Sequence, residues 1–143
     1  MEEILIWGVK THSLFDVWSI EHFFSGMGLG ATAMLFTDKK IKVDDRYLIR
    51  TIEILFVLLI AFSWEAVEHY LEVGLLGEAV KNWFHGVEFW ANRLIFDPLL
   101  VLIGYLFVSK YKKLIIPARI FTITWLLIHI FILEHSMSLH EIF

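Results

Sequence analysis

The chain has 143 residues, 58% hydrophobic and 16% aromatic, with a formal net charge of −4 and no cysteine. Soluble domains carry roughly 45–50% apolar residues, so this composition points to one membrane domain spanning the whole chain. The acidic balance argues against a nucleic-acid partner, which needs a basic surface, and without thiols any metal must be held by nitrogen and oxygen.

Met1-Glu2-Glu3 lacks the basic start of a cleaved signal peptide, so the first apolar segment is expected to stay as an anchor. Crossing the hydrocarbon takes about 20 apolar residues. Four segments fit: Leu14–Phe36, Leu48–Tyr70, Trp83–Val108 and Leu114–Leu133. The first carries a row of small residues, Ser19, Gly26 and Gly30, with Gly28 nearby, which lets a neighbouring helix approach closely. The second carries Glu53, Glu65, Glu68 and His69. Pro98 and Gly104 allow a bend in the third, and Pro117 suits the start of the fourth. Short loops make sequential neighbours antiparallel. The expected fold is all-α, an integral membrane four-helix up-down bundle.

Basic residues in short loops set orientation. Lys39, Lys40, Lys42, Arg46, Arg50, Lys110, Lys112, Lys113 and Arg119 are nine of the twelve Lys and Arg, and all fall on one side of such a bundle. That side is expected to be cytoplasmic. A multi-pass protein of the cell membrane with both termini extracytoplasmic follows, with all seven histidines in the outer half.

Ionisable groups at bilayer depth are costly and suggest function. At ~100° per residue, Glu65, Glu68, His69 and Glu72 share one helical face. His85, Glu88 and Asn92 share another, with Arg93 and Asp97 beside it at the spacing of an ion pair. Asp16, Ser19 and His22 come from the first segment, and His129 from the fourth. Ligands at i, i+3 and i+4 leave a helix together, so facing helices can surround a metal ion. Carboxylate-bridged di-metal bundles use Glu-x-x-His; here His85-x-x-Glu88 runs in the reverse order. The candidate metal ligands are His22, Glu65, Glu68, His69, His85, Glu88 and His129. The candidate catalytic residues are Glu65 as a general base, with Arg93 and Asp97. An interfacial, solvated position accounts for Glu2, Glu3, His12, Glu53, Glu72, Glu78, Glu134, His135, His140 and Glu141.

Asp16 ahead of His22-Phe23, the acidic pair Glu65 and Glu68, and the later Arg93, Asp97 and Gly104 resemble the pattern of VanZ-like small membrane proteins. The spacing of Asp16 from His22 is longer than in that pattern, and no Asn follows Asp97. The resemblance implies a role at the cell envelope.

The leading expectation is a membrane metalloprotein whose site opens outward. It would hold a divalent metal, zinc or iron/manganese, and as an enzyme would act on a lipid-linked substrate. A haem b electron carrier is the alternative, since each segment supplies one outer histidine. A proton- or ion-translocating protein and a structural subunit are further readings. The bilayer is the expected partner, with a homo-oligomer open.

Overall fold

The computed structural model describes residues 4–42 and 44–131, with the side chains of His129 and Ile130 outside the description. The fold is all-α apart from a small ribbon: β1 (Leu5–Trp7) and β2 (Ser13–Phe15) pair in parallel, Leu5 opposite Ser13. The helices are α1 (Val17–Lys40), α2 (Arg46–Glu72), α3 (Glu78–Phe84), α4 (Asp97–Lys110) and α5 (Ile115–Phe131).

Asp16 starts α1. Its carboxylate accepts the backbone N–H groups of Trp18 and Ser19 at 2.7 and 3.1 Å, while Ser19 Oγ accepts the Asp16 N–H at 3.0 Å. These bonds satisfy donors that a helix start leaves open. At the other end Lys39 and Lys40 lie in the last turn, where positive charge suits the helix dipole.

The small-residue row sets the packing. Gly26 lies against the backbone of Val101 and Gly104 against that of Phe23; a Cβ at either glycine would meet a carbonyl oxygen at 2.1 Å. Helices α1 and α4 therefore meet at backbone contact. Gly28 receives Thr122 of α5 and Gly30 receives Tyr105 of α4. Around this axis Ala31, Met34, Val57, Ala61, Val101, Tyr105 and Val108 form the core. Helix α2 packs on both α1 and α4, whereas α5 rests chiefly on α1.

Outward faces are apolar and open. Leu55, Leu59, Ile116 and Ile120 are each more than 60% exposed. Among the described residues, Arg46–Glu72 and Asn92–Lys110 are long and apolar enough to cross a membrane.

The third apolar segment is not one helix. Helix α3 stops at His85, which adopts a left-handed conformation (φ 50°) and is followed by Gly86 at φ 109°. The chain runs without regular structure over 87–89, and the Phe89 N–H donates to Lys10 O at 2.8 Å. Helix then resumes through a π-turn, Asn92–Phe96, in which the Asp97 N–H reaches back to Asn92 O. Pro98 follows directly, and the wider turn accommodates the donor that proline lacks.

Glu53 differs from its expected interfacial position. It is 7% exposed, accepting Thr37 Oγ1 at 2.5 Å and the Tyr105 hydroxyl at 2.8 Å. Glu72 differs likewise, at 1% exposed. Both carboxylates find donors on other elements, which is why neither needs water.

Candidate metal centre

A polar layer lies across one end of the helices. Six buried carboxyls meet there, from Asp16, Glu65, Glu68, Glu72, Glu88 and Asp97, with Lys10, Arg93, Asn92 and Ser19 among them. Lys10 and Arg93 are the buried permanent cations of this layer. So many acids need protons, donors or a cation to share one low-dielectric volume.

One half of the layer is tied together by ion pairs and hydrogen bonds, which leave Glu88 Oε2, Asn92 Oδ1 and Arg93 Nε without a hydrogen bond. Glu72 accepts Lys10 Nζ at 2.5 Å, the Glu88 backbone N–H at 3.1 Å, and the Arg93 guanidinium. Arg93 also lies 3.4 Å from Glu88 Oε2 and 3.2 Å from His69 Nδ1. Asn92 Nδ2 bridges Asp16 Oδ2 at 3.3 Å and Glu88 Oε1 at 3.0 Å. This half ties the N-terminal ribbon, α2 and the π-turn together. Burial, reinforced by the charge of Glu68, raises the pKa of Glu88, which lies in the connection ahead of the helical stretch Asn92–Lys110.

In the other half, buried carboxylate oxygens lack hydrogen bonds. His22 of α1, Glu65 of α2 and Asp97 of α4 converge, offering one ligand atom each, all within 4.8 Å of one another. His22 Nδ1 lies 3.7 Å from Glu65 Oε1, and its Nε2 lies 3.3 Å from Asp97 Oδ2. Neither oxygen of Glu65 and not Oδ2 of Asp97 receives a hydrogen bond, although all are buried. Asp97 Oδ1 is held by Ser19 Oγ at 3.5 Å, and the nearest cation to Glu65 is Arg93 Nε at 3.9 Å. A buried carboxylate oxygen without a donor costs more than about 1–3 kcal/mol.

Two ligand atoms on one zinc lie about 3.4 Å apart when each bond is about 2.0–2.2 Å. The three residues thus need only small side-chain shifts to hold one ion. The two short contacts use different ring nitrogens, so a single ion takes one of them. The donors are one imidazole and two carboxylates, with a position left open for water or substrate.

The expected ligands divide accordingly. His22 and Glu65 converge, joined by Asp97, which the sequence reading placed among the catalytic residues. Glu68 and Glu88 are buried in the same layer, Glu88 on the Arg93 side. His69 is exposed apart from its contact with Arg93. His85 is exposed at the end of α3 and stands apart. The side chain of His129, and all of Glu134, His135, His140 and Glu141, lie outside the described residues, as do Glu2 and Glu3. Arg93 binds Glu72 and Glu88 rather than Asp97, because the π-turn sets the two residues at different angles from a regular helix. Lys10 was not foreseen; it reaches Glu72 across 62 residues, and no local pattern signals that. Glu72 shares the helical stripe of Glu65 and Glu68, but the expectation of an interfacial, solvated position for it is corrected by its burial.

Compared with protein-family models, curated proteins and solved structures, the chain matches none.

Proposed function

We propose that the chain is an integral membrane metalloprotein that binds one divalent cation between His22, Glu65 and Asp97. One observation carries this reading: both oxygens of Glu65 and Oδ2 of Asp97 are buried without a hydrogen bond, beside the imidazole of His22. A divalent cation would neutralise both acids at once, whereas the His22 ring, within 3.7 Å of Glu65 and 3.3 Å of Asp97, carries at most one charge. The oxygen-rich donor set favours manganese or iron(II) over zinc.

The four-pass bundle, its cell-membrane location and its outward-facing termini belong to the same reading. They are supported by the exposed apolar faces of α2, α4 and α5 and by the basic residues at one end. Bound metal would activate water or polarise an ester or phosphoryl oxygen of a lipid-linked substrate. Glu65 would then serve as ligand or as general base. Arg93, engaged by Glu72 and Glu88, reads as the structural member of the layer. The ionisable residues of the VanZ-like resemblance, Asp16, His22, Glu65, Glu68, Arg93 and Asp97, belong to this layer, which supports an envelope role. Haem b finds less support, because His22 is flanked by two carboxylates and His69 by a guanidinium.

Elemental analysis of the purified full chain tests the proposal. After incubation with manganese, iron(II) or zinc and removal of excess, one ion per chain is expected. Glu65→Gln with Asp97→Asn should leave far less than one. A wild-type chain that retains none of the three metals overturns it.

A further inference from the structure

A cleft of about 360 Å³ opens between α2 and α5, floored by α1. Its size falls within the roughly 300–1,000 Å³ of small-molecule sites. The two ends differ in charge. Glu21, His22 and Glu65 line one end; Arg119 lines the other, the one permanent cation among the lining residues. Arg119 donates one N–H to Ala31 O at 2.9 Å, while its Nε is buried with no acceptor. Between the ends the wall is aliphatic, from Ile60, Val101, Ile123 and Leu126. The hydroxyls of Thr32 and Thr122 are spent on Gly28 O and Phe24 O, so neither is free to bind a ligand in the wall.

The spacing of the ends fits a chain. Arg119 sits at the level of Ala31, nine residues below His22 on α1, which is about 14 Å at ~1.5 Å per residue. An anionic head at the Glu21 and Glu65 end would face two carboxylates. At the Arg119 end it would meet a guanidinium with an unmatched N–H, in surroundings that strengthen charge-assisted hydrogen bonds.

We propose that this cleft binds a long-chain carboxylate, with its head at Arg119 and its aliphatic chain running towards His22 and Glu65. The ligand enters sideways between α2 and α5. The head site at Arg119 lies apart from the metal centre, whose ligands His22 and Glu65 line only the far end of the cleft.

The test titrates the full chain in detergent with palmitate, hexadecanol and hexadecylamine, each with and without a chelator. Palmitate is expected to bind about tenfold tighter than hexadecanol, the gain of one charged hydrogen bond. Hexadecylamine should bind no better than the alcohol. Arg119→Gln should reduce palmitate to the level of the alcohol, Arg119→Lys should keep most of the preference, and Leu126→Trp should weaken both ligands by filling the wall. Equal binding of palmitate and hexadecanol by the wild-type chain, a preference for the amine, or binding of none overturns the proposal. Loss of metal binding with the palmitate preference intact would count against the metal centre alone.

Discussion

His22 Nε2 lies 3.3 Å from Asp97 Oδ2, joining α1 to α4 just above the point where the two backbones touch. Gly26 against Val101 and Gly104 against Phe23 set that separation. Wider spacing of the helices would draw the imidazole away from the carboxylate. The packing of glycines thus controls the geometry of the polar layer, and the two are one device.

Gly104→Ala tests this coupling. Its new methyl would meet Phe23 O at 2.1 Å, and backbone on both sides leaves little room to yield. We expect about 1–3 kcal/mol of destabilisation from overpacking. Bound metal should fall in the same variant, although no ligand is touched. Unchanged stability by detergent unfolding, with full metal occupancy, would show that the close approach is not needed.

Arg93 anchors the paired half of the layer. Arg93→Met removes the guanidinium from Glu72 and Glu88 and leaves both acids buried. Removing one partner of a buried ion pair costs about 3–5 kcal/mol. Adding Glu88→Gln to Arg93→Met should recover part of that loss, because Glu72 keeps Lys10 as a partner whereas Glu88 loses the guanidinium. A double variant as unstable as the sum of the singles would mean that Arg93 and Glu88 do not interact.

Local patterns explain what was legible in the sequence. The stripe of Glu65, Glu68 and Glu72 follows from helical spacing alone, and the small-residue row of α1 announced a close helix contact. Orphaned acids at i+3 and i+7 needed partners, and the partners came from other elements. Lys10 sits in a short ribbon whose strands have three residues each, too brief to leave a periodic signal. The break after His85 is carried by Gly86 and by Lys10 O accepting the Phe89 N–H, a long-range contact. Apolar residues on both sides of it, Trp83 and Phe84 before and Val87 and Phe89 after, hid that break. Glu53 looked solitary because Thr37 and Tyr105 reach it from α1 and α4.

That second buried acid yields a separate prediction. Thr37→Val and Tyr105→Phe each remove one donor from Glu53, from Oε1 and Oε2 respectively. Each should cost about 1–3 kcal/mol, the penalty of an unsatisfied buried acceptor. Metal content should not change, since Glu53 lies near the opposite end of α2 from Glu65. Loss of metal in either variant would tie the two ends together and contradict this separation.

Orientation can be read by labelling, which the absence of native cysteine makes clean. Single cysteines at Lys40, at the end of α1, and at Glu78, at the start of α3, are both at exposed positions. With the basic end inside, an impermeant thiol reagent should label position 78 in intact cells and reach position 40 only after lysis. Equal labelling of both before lysis would remove the four-pass reading.

Metal dependence of stability is the most direct consequence of the unpaired oxygens. Without a cation, Glu65 and Asp97 must share a buried volume as neutral acids or as mutually repelling anions. A cation that binds only the folded chain adds RT ln(1 + [L]/Kd), about 2.7 kcal/mol at a hundredfold excess over Kd. Chelation should therefore lower the melting temperature, and manganese, iron(II) or zinc should restore it. His22→Ala and Asp97→Asn should abolish the response to added metal. His85→Ala, at an exposed site apart from the three ligands, should respond as the wild type does. A melting curve that ignores both chelator and metal in the wild-type chain would leave the layer as a network of protonated acids, with His22, Glu65 and Asp97 serving packing alone.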